Sequence, residues 1–248
     1  MGVDESEIPK GNIKKRSDMD IFKDYSNRFK NKEYASAYHK ELTVNSSDGI
    51  PLRRRLIGSI VAYFEKRAVS RLLKYTKGSS IIDIPCGSGK LNPILKATNC
   101  NIISADASPQ MIEFAKGDRS ADFEFMLSDI RFIPLKSESV DILISNRFLH
   151  RIPAENHGIV LKELFRISRR YVILYFGSKT LFTSLIITLE ELFNIGNRGE
   201  IYYLEHEDIL EEIKRNNWFF VKKVKVLPLI STGTVYLVEK RNGQTENL

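Results

Sequence analysis

Short apolar runs alternate with amphipathic stretches along most of the chain from residue 80 onward. Five runs are typical of strands that are buried on both faces: Ser80–Ile84, Asn101–Ala105, Phe123–Met126, Val140–Ser145 and Tyr171–Phe176. Helical spacing of apolar residues occupies the stretches between them, at Lys90–Ala97, Pro109–Lys116 and Ala154–Ser168. Two later runs, at 219–226 and 234–240, bring the strands to seven. This pattern predicts an α/β fold with a doubly wound, mostly parallel seven-stranded sheet.

The remaining segments predict helices around this sheet. Leu56–Tyr75 carries its apolar residues on one side, and a further helix is expected near His206–Asn216. Residues 1–50 are interpreted as a polar tail followed by an N-terminal helical cap with aromatic residues at helical spacing. Residues 51–248 are expected to form the main domain, with an apolar helical insertion near 178–200. The helix Thr180–Ile195 has more apolar residues than one core-facing stripe needs, which leaves a lid, a homodimer face or a lipid contact as alternatives.

The net charge of +7 is concentrated in one segment. Residues 51–78 hold eight basic residues and a single acid, Glu65. The basic residues between 53 and 77 could meet a phosphate, an anionic substrate or an acidic membrane surface, or they could form a solvated helix face. Two cysteines do not make a disulfide framework, and the N-terminal residues have no apolar leader, so a cytoplasmic protein is expected.

The stretch "IIDIPCGSGK", residues 81–90, holds the end of the first strand and the turn after it, where ligands of open parallel sheets bind. It fails the P-loop pattern because Ile84 and Leu91 stand where a glycine and a hydroxyl residue are needed. It also fails the G-x-G-x-x-G dinucleotide pattern, which starting at Gly87 would end on Asn92. What remains is an acid followed by small residues at every second position: Asp83, Pro85, Gly87 and Gly89.

This spacing resembles motif I of the class I S-adenosylmethionine-dependent methyltransferases, and "DIPCGSG" is similar to their D-x-x-C-G-x-G form. Pro85 stands where the family has its first glycine. "DASPQMI" after the second strand and "SDIRFIPL" after the third are similar to later motifs of the family. The resemblance covers residues 70–240 and implies a Rossmann-like methyltransferase fold with S-adenosyl-L-methionine as cofactor. The cofactor contacts that it implies are Asp83, Pro85, Cys86, Gly87, Gly89, Asp106, Ala107, Met111, Asp129, Ile130, Ser145 and Asn146.

The acceptor side is less defined by the sequence. His150 follows the fourth strand and is the candidate general base, and Arg147 could bind an anionic acceptor. Tyr38 and His39 lie in the N-terminal cap, which in similar enzymes closes over the cofactor. The four histidines form no cluster with metal-ligand spacing, so no metal is expected.

The expected function is methyl transfer to an oxygen or nitrogen of a small-molecule or cell-envelope acceptor, either lipid-linked or glycan-linked. Methylation of RNA is an alternative, favoured by the sequence pI of 9.3. Nucleic acid is less favoured as a partner because no RNA-binding module is recognisable. A second alternative is a cofactor-binding partner subunit that has lost catalysis.

Overall fold

Seven strands form a single sheet in a computed structural model, which describes residues 52–117, 123–177, 184, 202–227 and 231–240. In chain order the strands are β1 (Ser80–Asp83), β2 (Asn101–Asp106), β3 (Phe123–Leu127), β4 (Val140–Ser145), β5 (Ser168–Gly177), β6 (Trp218–Lys225) and β7 (Gly233–Lys240). Their order across the sheet is β3-β2-β1-β4-β5-β7-β6. The first five strands are parallel, and β7 runs antiparallel between β5 and β6. The predicted doubly wound, mostly parallel sheet is confirmed.

Helices cover both faces of this sheet. They are α1 (Leu52–Leu73), α2 (Asn92–Lys96), α3 (Pro109–Lys116), α4 (His157–Ile167) and α5 (His206–Arg215), with short 3₁₀ turns at Leu149–Arg151 and Ala154–Asn156. Alternate residues of each buried strand supply the two cores, as the period of two along a strand requires. On one face, α1 and α2 pack on a set that includes Ile81, Ile142 and Ile173. On the other, α4 and α5 pack on a set that includes Ile82, Leu143 and Val172.

Three predicted helices have different bounds in the structure. The helix predicted over Leu56–Tyr75 is α1, which begins at Leu52 and ends at Leu73. The α2 helix begins at Asn92 rather than Lys90, because the turn at Gly89 continues until the Asn92 N–H donates to the Gly89 carbonyl at 3.1 Å. The helix predicted over Ala154–Ser168 starts as a 3₁₀ turn and ends at Ile167, since Ser168 is already extended at φ −82° and ψ 130°.

Several expectations lie outside the described residues. They are the N-terminal cap within residues 1–50 and, apart from Ser184, the apolar helix Thr180–Ile195. Of the helices that the structure describes, none combines the length and the apolar content that crossing a bilayer would take.

Candidate functional site

A cavity opens at the carboxyl ends of β1, β2 and β4. Its lining comes from the turn after β1, the start of α3, the segment after β3 and the residues after β4. The described residues that line it are Asp83, Ile84, Pro85, Cys86, Gly87, Ser88, Lys90, Leu91, Asp106, Ala107, Ser108, Met111, Ser128, Asp129, Ile130, Asn146, Arg147 and Phe148. The parallel sheet therefore brings three separate predicted motifs to one edge.

The turn after β1 is tied to the end of β2 by backbone groups. The Cys86 N–H donates to the Ala105 carbonyl at 2.8 Å, and the Gly87 N–H donates to the Asp106 carboxylate at 2.9 Å. Gly87 has φ +54°, and the place where a side chain would begin is open space. A residue without a Cβ leaves this backbone accessible to a ligand in the cavity. The Ile84–Pro85 peptide bond is cis.

Gly89 serves the packing of the turn rather than the cavity surface. It has φ +72°, and a Cβ there would lie 2.6 Å from the Asn92 Nδ2 and 3.0 Å from the Ala115 Cα. Gly89 is not among the described residues that line the cavity. The two glycines of the motif thus have different physical roles, which the spacing of the motif does not reveal.

Two buried carboxylates face the cavity at the tips of β1 and β2. Asp83 is 1% exposed, and neither of its oxygens has a hydrogen-bond partner among the described residues. Asp106 is 8% exposed and accepts from the Ser108 and Gly87 N–H groups, each at 2.9 Å.

Burial disfavours the charged form of both acids. It raises the pKa of Asp83 well above its ordinary value, with a further contribution from the charge of Asp106. It raises the pKa of Asp106 to about 6, although the hydrogen bonds from backbone N–H groups act in the opposite direction. Two buried acids side by side make this end of the cavity a site for a cation or for several hydrogen-bond donors.

The far end of the cavity is closed by α3 and the segment after β3. The Ser108 side chain caps α3 by accepting from the Met111 N–H at 3.2 Å, as the sequence predicts. Asp129 is held by Arg131, whose Nη2 lies 2.6 Å from the Asp129 carboxylate. Burial raises the pKa of Asp129, but the hydrogen bonds and the charge of Arg131 outweigh this effect and leave it below its ordinary value.

The residues after β4 form the remaining wall. Ser145 is buried at the end of β4 and is not among the lining residues, whereas Asn146, Arg147 and Phe148 line the cavity. The Asn146 Oδ1 is buried, and within the described ranges it has no hydrogen-bond partner. Arg147 has φ +59°, a backbone conformation that side chains other than glycine rarely adopt.

His150 lies behind this wall. It is 4% exposed, its ring packs 5.0 Å from that of Tyr175, and it is not among the described lining residues. Burial, followed by the nearby charges of Arg151 and Arg147, lowers the pKa of His150 well below its ordinary value. A neutral histidine with so low a pKa is a weak base. The other two predicted acceptor residues, Tyr38 and His39, fall in the part of the chain that the structure does not describe.

The sequence analysis did not identify some of the residues that line the cavity, or one residue that contacts the lining. Ser88, Lys90 and Phe148 line the cavity, yet only their position beside a motif could have indicated them. Glu65 of α1 reaches Arg147, with its Oε1 3.6 Å from the Arg147 Nε. The sequence signal for Glu65 is that it is the single acid in the strongly basic segment 51–78.

The region that builds the cavity is similar to known proteins in sequence and in fold. Residues 82–176 match the family model described as a methyltransferase domain. Magnesium protoporphyrin IX methyltransferase from Synechocystis PCC 6803, solved with bound SAH, shares the fold with a TM-score of 0.71 at 17% identity. That match covers 88% of this chain and 99% of that one. The family model thus supports a methyltransferase domain at residues 82–176, and the neighbour supports a methyltransferase fold.

Curated relatives are similar to this chain over part of their length. Malonyl-[acyl-carrier protein] O-methyltransferase from Yersinia pestis is 30% identical over 101 residues, which are 41% of this chain and 37% of that protein. Mouse tRNA (carboxymethyluridine(34)-5-O)-methyltransferase is 28% identical over 140 residues, 52% of this chain and 20% of that protein. The chain spans less than half the length of the curated relatives that it matches. The cofactor of the family is S-adenosylmethionine, as the sequence motifs predict.

Proposed function

We propose that this protein transfers a methyl group from S-adenosylmethionine to a carboxylate oxygen of a small or carrier-linked acceptor. The observation that carries the cofactor part of the proposal is Asp83, a buried carboxylate on the cavity wall with no hydrogen-bond partner among the described residues. A buried charge without a partner is costly, and a cationic ligand would relieve that cost. S-adenosylmethionine carries both an ammonium group and a sulfonium.

The lining residues fit this cofactor from one end to the other. Asp83 would accept from its ammonium group, and Asp106 would accept from the ribose hydroxyls. Ala107 and Met111 would pack near the ribose and the adenine, with Asp129 and Ile130 at the adenine end. Gly87 offers bare backbone between these contacts. When bound, the cofactor supplies an electrophilic methyl group on a sulfonium.

The work left to the protein is alignment and exclusion of water. Methyl transfer is an in-line displacement, so the acceptor oxygen must lie close to the methyl group and opposite the sulfur. Asn146, Arg147 and Phe148 form the wall after β4, beside the expected position of the methyl group. Phe148 is buried and apolar, and it helps to keep this side of the cavity dry.

A carboxylate acceptor is supported by Arg147 and by the names of the relatives. The guanidinium of an arginine binds carboxylates with well-defined geometry, and Arg147 lines the cavity. The malonyl group and the carboxymethyl group in the relatives' names each contain a carboxyl group, and both proteins are named as O-methyltransferases. A carboxylate is already deprotonated near neutral pH and needs no general base. A reaction that needs no general base agrees with a buried His150 whose pKa is well below its ordinary value.

The test is methyl transfer by the purified full chain from labelled S-adenosylmethionine to malonyl-CoA, which carries a free carboxylate on a thioester. We expect a methyl ester that releases labelled methanol when it is hydrolysed in alkali. Asp106→Ala should abolish the signal while the far-ultraviolet circular dichroism stays the same. Label transferred only to amines or to neutral hydroxyls, or no transfer to any acceptor pool despite cofactor binding, would overturn the proposal.

Methylation of RNA is the second candidate. Arg67 and Arg71 are exposed on the basic helix α1, Lys74 is exposed directly after it, and one relative is named for a tRNA substrate. Basic residues that neutralise phosphates make binding weaken steeply as salt rises. Label incorporated into total tRNA and removed by ribonuclease, with strong salt dependence, would favour this candidate over a small acceptor.

A further inference from the structure

Glu65 is a buried acid without an evident structural purpose. It lies on α1 among eight basic residues of the same segment, yet it is only 3% exposed. Its Oε1 has no hydrogen-bond partner in the described part of the chain. The charged group that it does meet is the Arg147 guanidinium, at 3.6 Å between Oε1 and Nε.

This contact is a poor source of stability. A charge-assisted hydrogen bond is usually about 2.7–2.9 Å long, and the strong arginine pairs are bidentate. A buried pair with weaker geometry does not recover the cost of removing two charges from water, and apolar replacements are often as stable. The pair therefore calls for a reason other than folding energy.

Arg147 supplies that reason through its position. It is the second residue after β4, it lines the cavity between Asn146 and Phe148, and its side chain is 23% exposed. Its φ of +59° is an unfavourable backbone conformation for a residue with a Cβ. Backbone strain of this kind concentrates at functional sites, where it aims a side chain.

The helix that carries Glu65 is fixed against the sheet. Ala68, Val69 and Leu72 of α1 are buried in the same core as strand residues of β1, β4 and β5. The carboxylate therefore approaches Arg147 from a rigid support. A contact through Nε engages one corner of the planar guanidinium and limits its rotation about the side-chain bonds.

We infer that Glu65 is a positioning residue that orients the Arg147 guanidinium toward the acceptor carboxylate. This role rests on the carboxylate acceptor proposed above. An arginine that is held in one orientation loses less side-chain entropy when the acceptor binds. The pair thus raises the affinity for the acceptor, and it leaves the affinity for the cofactor unchanged.

The test compares Glu65→Gln with Glu163→Gln, using malonyl-CoA as acceptor. Glu163 also pairs with an arginine, Arg166 at 2.7 Å, but neither residue is among those that line the cavity. Immobilising one side chain is worth enough for Glu65→Gln to raise the acceptor KM by about fivefold to tenfold. The kcat and the Kd for SAH should change little, and Glu163→Gln should lower the thermal midpoint without changing the acceptor KM.

A double-mutant cycle with Arg147→Met separates positioning from a general loss of structure. If Glu65 acts through Arg147, Glu65→Gln has no further effect on the acceptor KM once Arg147 is replaced. If Glu65→Gln fails to fold, Glu65→Asp decides, because it keeps the charge but withdraws it by one carbon, and the same rise in KM is expected.

Each outcome is decisive. An unchanged acceptor KM in the Glu65 variants, or an equal loss in the Arg147→Met background, overturns the role of Glu65 and leaves the proposed function standing. Failure of the wild-type protein to methylate malonyl-CoA or any other carboxylate is seen before any variant is made. That result overturns the acceptor class, and the role of Glu65 with it.

Discussion

Replacing Asp83 with Asn should make the ligand-free protein more stable and cofactor binding weaker. Asp83 is buried, unpartnered, and has a pKa well above its ordinary value. Folding at neutral pH must either bury the charge of Asp83 or protonate the carboxyl, and asparagine avoids both, which should stabilise the folded state by about 1–3 kcal/mol. For a domain of this size each kcal/mol raises the thermal midpoint by roughly 2–4 °C. The asparagine keeps the shape of the side chain, so the two effects report on the charge.

The loss in binding follows from the same charge. Truncating one partner of a buried charged contact costs about 2–5 kcal/mol. Burial already opposes the ionised form of Asp83, so we expect the lower part of that range, or roughly a 30- to 100-fold higher Kd at pH 7. Isothermal titration with S-adenosylmethionine and thermal scans of the ligand-free protein measure the two effects on the same samples.

Asp141→Asn is the matched control. The Asp141 carboxylate lies where β1 and β4 begin, at the edge away from the cavity, and it accepts from the Ser79 N–H at 2.8 Å and the Ser80 hydroxyl at 3.0 Å. It also pairs with Arg169. This variant should lose stability and bind the cofactor as the wild type does. A ligand-free Asp83→Asn that is less stable than wild type, with unchanged affinity, would refute the assignment of Asp83 to a cationic ligand.

Three further predictions concern pH and the framework of the site. Burial raises the pKa of Asp106 to about 6, so the folded state holds a proton that the unfolded chain releases above about pH 4. The ligand-free stability of the wild type relative to Asp106→Asn should therefore fall between pH 4 and 6. This pKa difference corresponds to about 3 kcal/mol of stability, and cofactor affinity should rise over the same pH range. Denaturant unfolding and cofactor titration at each pH measure the two effects, and a stability that does not change with pH contradicts the prediction. Gly89→Ala should destabilise the protein by about 1–3 kcal/mol, because the new Cβ would lie 2.6 Å from the Asn92 Nδ2 and the φ of +72° is strained for alanine. A urea unfolding midpoint equal to that of the wild type would disprove this. Ser108→Ala removes the cap that accepts from the Met111 N–H and should cost about 0.5–2 kcal/mol in the same urea assay, whereas Ser108→Thr keeps a capping hydroxyl and should retain most of the stability.

The sequence predicted the sheet well because buried parallel strands leave a clear record. Runs such as Ile142–Ile144 and Val172–Leu174 are apolar throughout, and the turn residues between the strands allow few alternatives. Helix ends were less predictable. The turn at Gly89, which has a positive φ, makes α2 begin later than predicted, and α4 ends before Ser168, which is the first residue of β5. Neither residue interrupts the apolar spacing from which the helices were predicted.

The candidate site was predictable where it follows the strand tips. Asp83 and Asp106 were identified from their place after apolar runs, and the structure brings both to the cavity. Spacing could not show that Gly89 packs against Ala115, because that contact depends on where α3 crosses the turn. Nor could it pair Glu65 with Arg147, since the two residues are distant in the chain and meet through the packing of α1 on the sheet.

The most direct measurement of the central claim is a crystal structure of the full chain with S-adenosylmethionine or SAH bound. We expect the ammonium group within about 3 Å of the Asp83 carboxylate and the ribose hydroxyls on Asp106. The methyl group, or the sulfur in SAH, should face the wall formed by Asn146, Arg147 and Phe148. A ligand bound elsewhere, or bound in this cavity with Asp83 left without a partner, would contradict the claim.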